Sequence, residues 1–287
     1  MTDTSTGTKI VVAWDGSEPA RAALDWALGR ATGGELTLVR VLDTTVSSAD
    51  YFALDSSLAR AREVLADDAE RVSANHPALT VRSELLSGDP IIELRTRSGA
   101  DTLVVVGTHR RRGSTLRYEW SMGARLAGSA RGPIAIIPED GDTPRTGIVA
   151  GVDGSATSNA AVEFAAVEAE RTGQELLALH AWQEPLVWRD TALPDHEFLS
   201  SLEESHQHIL DDCIRTVAQQ HPGLRIRPVL VRGAAQSALL DAARGAALLV
   251  VGNHGLTGVS RLLLGSVSHS IVLNIQSPLV VIPAVPA

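Results

Sequence analysis

The chain carries its own sequence pattern twice, and this internal repeat limits the fold more than any other feature. Asp15-Gly16-Ser17 recurs as Asp153-Gly154-Ser155, and Val105-Val106-Gly107 recurs as Val250-Val251-Gly252. The copies are shifted by 138 residues at the first motif and by 145 residues at the second. A period this long exceeds that of a solenoid repeat and indicates a duplicated domain.

The predicted domains span residues 1–140 and 147–287, and the polar segment Glu139–Gly147, rich in turn-forming residues, joins them. Each copy alternates short apolar runs with helical periodicity. The predicted strands are Lys9–Trp14, Glu35–Leu42, Val81–Leu86, Thr102–Val106 and Pro133–Ile137, then Ile148–Val152, Glu175–Trp182, Ile226–Val231, Ala247–Val251 and Pro278–Ile282. Because these strands lack polar alternation and are separated by helices, each sheet should be parallel and covered on both faces. We therefore predict an α/β protein of two tandem doubly wound, Rossmann-like domains with about five strands each.

Lysine, cysteine and net charge exclude several classes of protein. Lys9 is the only lysine and precedes the first apolar run, so neither a P-loop nor a kinase phosphate site can be assembled. Cys213 is the only cysteine, which excludes a disulfide framework and a zinc site of several thiolates. The formal charge of −9 disfavours nucleic acid as a partner. Since no apolar run reaches membrane-spanning length, we expect a soluble, cytoplasmic protein with no membrane partner.

Residues that directly follow the strands are the candidate ligand contacts. In doubly wound sheets, ligands bind beyond the carboxyl ends of the strands, near the point where the strand order reverses. In the second copy, the candidates at this edge are Asp153, the turn after Trp182, Gly233 and the loop that begins at Gly252.

The glycine loop of the second copy predicts a phosphate site. Gly252 and Gly255 follow a strand, and Gly265, Ser266 and Val267 come after nine further residues at the start of a predicted helix. A helix start offers unpaired N–H groups and a partial positive charge, and glycine lets main-chain amides approach a ligand closely. The spacing differs from both G-x-G-x-x-G and the P-loop. The alternative interpretation is a glycine-rich turn that only connects strand and helix.

On these residues, the chain resembles the tandem form of the universal stress protein family. Nucleotide-binding members carry G-x2-G-x9-G-[S/T], which Gly252, Gly255, Gly265 and Ser266 match in full. The resemblance implies that main chain near Ala181 meets adenine, that Asp153 lies near the ribose and phosphates, and that the glycine loop holds the triphosphate of ATP. A carboxylate beside a triphosphate needs a bridging cation, so Mg²⁺ is expected with ATP. For Asp153 alone, an Asx-turn or a helix cap is the competing explanation.

The first copy departs from this pattern. Asp15, Gly107 and Ser121 are retained, but Arg110 and Trp120 replace the second and third glycines. We expect a degenerate site in which ATP binding is lost or weakened. The alternative is a different anion site formed by Arg110, Arg111 and Arg112.

Several polar and aromatic residues of the second copy have weaker patterns. Glu203, His206, His208, Asp211 and Asp212 share a predicted helix; they form either a metal site or, the interpretation we favour, a solvated polar face. Trp182 is expected in the core or the pocket wall, and stacking on a base is the alternative.

The function that fits these patterns is an ATP-binding regulatory protein of the stress response, whose nucleotide occupancy is read by an unidentified protein partner. The absence of a P-loop lysine, a G-x-S-x-G elbow and a clear general base predicts no enzymatic activity beyond slow ATP hydrolysis. A nucleotide-free interaction module is the alternative. An adenylating enzyme fits less well, because Val152–Ser155 stands where such enzymes carry S-G-G-x-D-S. The sequence is compatible with a homodimer.

Overall fold

Parallel β-strands separated by helices organise each half of the chain. The structure, a computed structural model, describes residues 9–31, 33–43, 51–109, 122–139, 144–184, 196–253 and 264–284. Clustering of contacts divides the chain into unit 1, Met1–Gly141, and unit 2, Asp142–Ala287. Nowhere in the described ranges does a helix combine the length and the apolar character that crossing a membrane requires.

Unit 1 alternates strands and helices along its described length. Its elements are β1 (Lys9–Ala13), α1 (Glu18–Arg30), β2 (Gly34–Leu42), α2 (Tyr51–Asn75), β3 (Leu79–Ser87), α3 (Pro90–Arg97), β4 (Thr102–Thr108), α4 (Met122–Ser129) and β5 (Ile134–Pro138). The strands pair in parallel in the order β3-β2-β1-β4-β5. Strands β2 and β3 thus lie on one side of β1, and β4 and β5 lie on the other.

Unit 2 repeats this architecture. Its elements are β6 (Ile148–Val152), α5 (Ala156–Thr172), β7 (Leu176–Trp182), α6 (His196–Gln220), β8 (Ile226–Arg232), α7 (Ala235–Ala243), β9 (Leu248–Asn253), α8 (Ser266–Asn274) and β10 (Leu279–Pro283). The parallel order is β8-β7-β6-β9-β10. The predicted fold of two tandem doubly wound α/β domains is confirmed. The strand order reverses beside β1 and β6, which opens a crevice between β6 and β9 at their carboxyl ends.

The central strands are buried on both faces, as their continuous apolar sequences predict. All four residues of Leu103–Val106 in β4 are completely buried, and those of Leu248–Val251 in β9 nearly so. The helix α1 turns a face of small residues, Ala20, Ala23 and Ala27, toward this core. Since alanine adds little thickness, the helix can lie close to the sheet.

Side-chain caps fix where three helices begin, directly after the carboxyl ends of strands. The Ser17 hydroxyl accepts a hydrogen bond from the N–H of Ala20 at 3.4 Å, and the Ser155 hydroxyl accepts one from Ser158 at 3.0 Å. The carboxylate of Asp89 accepts from the N–H of Ile91 at 2.7 Å. These caps satisfy amides that have no partner within their own helix.

Candidate functional site

A cavity of about 320 Å³ lies in unit 2 at the carboxyl ends of β6 and β9. Its walls are formed by Gly151, Val152, Asp153, Ser158, Leu179, Ala181, Ala235, Leu239, Val251, Gly252, Gly265, Ser266, Val267 and Ser268. The structure therefore brings together six of the residues that the sequence singled out in this copy. Gly255 lies outside the described residues.

Asp153 forms the rim of this cavity through a local turn. Its Oδ1 accepts a hydrogen bond from the N–H of Ser155 at 2.9 Å, and Gly154 adopts the left-handed φ of +81° that this turn requires. The turn places Ser155 where it caps α5. An Asx-turn thus accounts for the local geometry of Asp153, and the same geometry holds the exposed carboxylate at the mouth of the cavity.

Gly252 allows its strand to pack closely against a helix. The sequence pattern predicts a different purpose for this glycine, the close approach of main-chain amides to a ligand. A Cβ at this position would lie 3.0 Å from the carbonyl carbon of Thr157 and 3.1 Å from the nitrogen of Ser158, in the first turn of α5. In unit 1, a Cβ at Gly107 would overlap the carbonyl group of Pro19 in the first turn of α1. In both units, the first glycine of the motif lets a strand pass against a helix start, while its main chain lines the cavity.

The N-terminus of α8 faces the cavity without a side-chain cap. Gly265 is the N-cap residue, and its own N–H donates to Oδ1 of Asn253 at 3.0 Å. Within the described part of the chain, the N–H groups of Ser266 and Val267 have no hydrogen-bond partner, as expected at a helix start. The exposed end of the helix therefore presents amide donors and the positive pole of its dipole to the cavity.

Asn253 and Ser268 hold this helix end and were missed by the sequence reasoning. The hydroxyl of Ser268 donates to the carbonyl oxygen of Gly252 at 3.0 Å, and Asn253 is buried. Together they attach the start of α8 to the end of β9. The available signal was polar residues close to the motif glycines, since Asn253 directly follows Gly252 and Ser268 comes three residues after Gly265.

Ala181 and Gly233 differ in their relation to the cavity. Ala181 pairs in register with Val231 and lines the cavity wall. Gly233 does not belong to the wall; its N–H donates to the carbonyl oxygen of Trp182 at 2.8 Å and extends the pairing of β7 with β8. Ala235, two residues further on, lines the cavity instead.

A pair of histidines lies behind the cavity, on the α6 side of β7. Nδ1 of His180 is 2.7 Å from the carbonyl oxygen of Val152, and Nε2 of His180 is 2.8 Å from Nδ1 of His206. Because a carbonyl only accepts hydrogen bonds, His180 carries its proton on Nδ1, and a neutral His206 donates to Nε2 of His180. Burial, with a smaller contribution from His180, lowers the pKa of His206.

The structure confirms that Trp182 is a core residue and corrects the predicted solvated face of α6 at one position, His206. Trp182 is buried and stacks on His206, with ring centroids 5.2 Å apart, and it does not line the cavity. Glu203, His208, Asp211 and Asp212 are exposed as predicted, whereas His206 turns inward. Among the residues described, no group of three or more His, Cys, Asp or Glu side chains is placed to hold a metal ion.

Cys213 of this helix is buried, and burial raises the pKa of its thiol to about 11, which disfavours the reactive thiolate.

Unit 1 has a cavity at the equivalent place, but its volume is only about 170 Å³. Larger side chains account for the difference: Trp14, Val41, Pro90 and Met122 line it at the positions of Val152, Ala181, Ala235 and Val267. Asp15 and Gly107 line it as well. Arg110, Trp120 and Ser121 lie outside the described residues.

Trp14 is held in place by a neighbouring helix. Its indole N–H donates to Oδ2 of Asp68 in α2 at 2.7 Å, and Asp68 also pairs with Arg71. In unit 2, Val152 and Cys213 occupy the positions of Trp14 and Asp68. The two units therefore differ at both partners of this hydrogen bond.

Comparison with known proteins agrees with the fold and with the duplication. The sequence matches the universal stress protein family over residues 7–138 and again over residues 145–283. A universal stress protein of Mycobacterium tuberculosis is 29% identical over the full length of both chains, and one of Mycolicibacterium smegmatis is 29% identical over 98% of this chain and 99% of its own. The crystal structure of a universal stress protein from Archaeoglobus fulgidus shares the fold, with a TM-score of 0.69 and 19% identity over 96% of each chain. The chain therefore belongs to the universal stress protein family and carries two copies of the family domain in tandem.

Proposed function

We propose that this protein binds ATP with Mg²⁺ in unit 2 and acts as a regulator in the stress response. The observation that supports the proposal most directly is the uncapped N-terminus of α8 at the wall of a cavity of about 320 Å³. This volume lies within the range of roughly 300–1,000 Å³ that is usual for small-molecule sites.

The phosphates would lie at the start of α8. Ser266 and Val267 line the cavity, and their N–H groups can donate hydrogen bonds to an anion. The helix dipole adds the equivalent of roughly half a positive charge at this end. Asn253 and Ser268 hold the helix in position before any ligand arrives, which lowers the ordering cost of binding.

The adenine ring would lie against the apolar part of the wall. Leu179, Ala181 and Leu239 contribute apolar side chains to the wall, and Ala181 leaves room that Val41 occupies in unit 1. A flat base buries apolar area on such a wall while its edges remain available for main-chain hydrogen bonds.

Asp153 is the candidate carboxylate for Mg²⁺. Mg²⁺ in nucleotide sites is usually held by one or two carboxylates together with phosphate oxygens and water. Asp153 places one exposed carboxylate at the mouth of the cavity, which fits that arrangement. The phosphate oxygens of ATP and water would supply the other ligands of Mg²⁺.

We propose a binding role without efficient catalysis, because the only lysine, Lys9, belongs to unit 1 and no P-loop can form. ATP occupancy would stabilise unit 2 by mass action, and a protein partner would read the resulting state. We place this activity in the cytoplasm, where ATP is available.

Isothermal titration of the full chain with ATP and Mg²⁺ tests the proposal. Gly255→Arg copies the residue that unit 1 carries at the same motif position, Arg110, and should abolish most of the binding while leaving the fold intact. Gly223→Arg is the matched control, because Gly223 is exposed and a Cβ there meets open space. Equal affinity of wild type and Gly255→Arg would refute the assignment.

Mass spectrometry of ligand released from freshly purified protein identifies the nucleotide that the protein carries. An adenine nucleotide supports the proposal. Titrations with ATP, ADP, AMP and cyclic AMP then rank the ligands, and detection of AMP with pyrophosphate after incubation with ATP would instead indicate an adenylating enzyme.

A further inference from the structure

The cavity of unit 1 is a partly open cleft with a mainly apolar lining. Its lining includes the side chains of Trp14, Val39, Val41, Leu94 and Met122. Val39 and Leu94 are almost completely buried, and Trp14 is fixed by its hydrogen bond to Asp68. The wall is therefore built from side chains with defined positions.

The volume decides what size of molecule this cavity can hold. At about 170 Å³, it is well below the range of roughly 300 Å³ and more in which drug-sized ligands bind. Apolar protein cavities of roughly 150 Å³ do bind benzene. The size thus matches one aromatic ring and is too small for a nucleoside with its phosphates.

The polar groups of the wall lie at its rim and are arranged by local hydrogen bonds. Oδ1 of Asp15 accepts from the N–H of Ser17 at 2.9 Å, and the Ser17 hydroxyl caps α1. Among the described residues that line the cavity, Asp15 is the only charged one. A carboxylate has two oxygens, so Oδ2 can accept a hydrogen bond from a ligand hydroxyl while Oδ1 maintains the turn.

We propose that the cavity of unit 1 binds an uncharged single-ring aromatic compound of the phenol class. The ring occupies the space between Trp14, Val41 and Leu94, and the hydroxyl at the rim donates to Asp15. Val41 and Met122 restrict the site to this size. The inference does not depend on nucleotide binding by unit 2.

Fluorine NMR with 4-fluorophenol and the full chain tests this site. Wild-type protein should shift the fluorine resonance in a saturable manner. Val41→Phe fills the cavity and should weaken the binding by roughly tenfold or more, without changing the titration with ATP and Mg²⁺. Met122→Phe fills the same space from the start of α4 and provides a second variant should Val41→Phe fail to fold.

Ala181→Phe is the matched control, because it makes the same kind of change at the equivalent position of unit 2. It should leave 4-fluorophenol binding unchanged and remove ATP binding. Absence of saturable 4-fluorophenol binding to the wild-type chain would overturn the inference, and so would equal binding by the filled variants. ATP binding that is lost in Val41→Phe would also overturn it, since the cavity would then accept a nucleotide. A chain that binds 4-fluorophenol but not ATP would contradict only the proposed function.

Discussion

His180 and His206 share a hydrogen bond of 2.8 Å between Nε2 and Nδ1, and this bond joins the end of β7 to α6. His180 is 5% exposed, and its other ring nitrogen is bonded to the carbonyl of Val152, a residue of the cavity wall. The histidine pair thus links the packing of α6 to the rim of the candidate nucleotide site.

We expect the contribution of His206 to the stability of unit 2 to fall as the pH drops below about 6.5, the ordinary pKa of histidine. The pKa of His206 is lowered in the folded state, chiefly by burial. The unfolded chain therefore binds more protons in this window, and the stabilisation present above pH 6.5 is lost as the pH falls toward the lowered pKa. Urea unfolding at pH 7.5 and pH 5.5 measures the effect.

His206→Leu should reduce that pH dependence and destabilise the protein by about 1–3 kcal/mol at pH 7.5, because leucine has no N–H group and Nε2 of buried His180 loses its donor. His208→Leu on the same helix is the control, since His208 is exposed. An unchanged pH dependence in His206→Leu would show that other groups cause it.

His221 should have the opposite pH dependence. Its Nδ1 lies 2.8 Å from Glu170 and its Nε2 lies 3.0 Å from Glu163, so it joins the end of α6 to α5. The hydrogen bond to Glu170 is the largest of the effects that raise the pKa of His221. Its stabilising contribution is complete below about pH 6.5 and is lost as the pH rises through the raised pKa.

NMR titration of the His221 ring protons measures this pKa directly. Glu170→Gln removes the main acceptor and should shift the His221 pKa downward, whereas Glu204→Gln at an exposed position of α6 should leave it unchanged. A His221 pKa that does not respond to Glu170→Gln would contradict the assigned cause.

Gly252→Ala should destabilise the protein even without nucleotide. The added Cβ would press on the first turn of α5 at 3.0–3.1 Å, and overpacking of this kind costs about 1–3 kcal/mol. Gly107→Ala should cost more, because its Cβ would overlap the carbonyl group of Pro19, whereas the atoms nearest to a Cβ at Gly252 lie 3.0 Å away. Gly223→Ala, where a Cβ meets open space, is the control in thermal and urea unfolding. A neutral effect of Gly252→Ala on the nucleotide-free protein would argue that this glycine serves only the ligand.

Asn253→Ala should weaken ATP binding by roughly tenfold, because the N–H of Gly265 loses its acceptor and the start of α8 is no longer held in place. Asn274→Ala is the matched control at the other end of the same helix, where the side chain donates to the carbonyl of Ser270 at 2.8 Å. Calorimetric titration of both variants with ATP and Mg²⁺ compares them. Equal losses in the two variants would indicate a general effect on α8 and not a role at the site.

The sequence predicted the features that depend on neighbouring residues or on a regular period. Ser17 and Asp89 each stand after a strand and before a helical pattern, a position that predicts a helix cap, and both accept the capping hydrogen bonds. The buried run Leu103–Val106 indicated a strand covered on both faces. Such signals are local, so one sequence suffices to recognise them.

Features that depend on contacts between distant segments were not predictable in the same way. The inward turn of His206 depends on His180, which is 26 residues away and on a different element. The clash that requires Gly252 involves Thr157, and nothing in the glycine spacing distinguishes helix packing from ligand approach. Gly233 was placed correctly after its strand, but the direction of its N–H depends on the pairing of β7 with β8.

The hydrogen bond between Trp14 and Asp68 makes the divergence of the duplicated domains hard to reverse. Changing Trp14 alone to the valine of the other copy would remove the donor from a carboxylate in the packed helix, and changing Asp68 alone to cysteine would leave the indole N–H without its acceptor. Each single change towards the residue of unit 2 is therefore disfavoured while the partner persists. We therefore expect Trp14 and Asp68 to tolerate substitution as a pair better than either residue does alone.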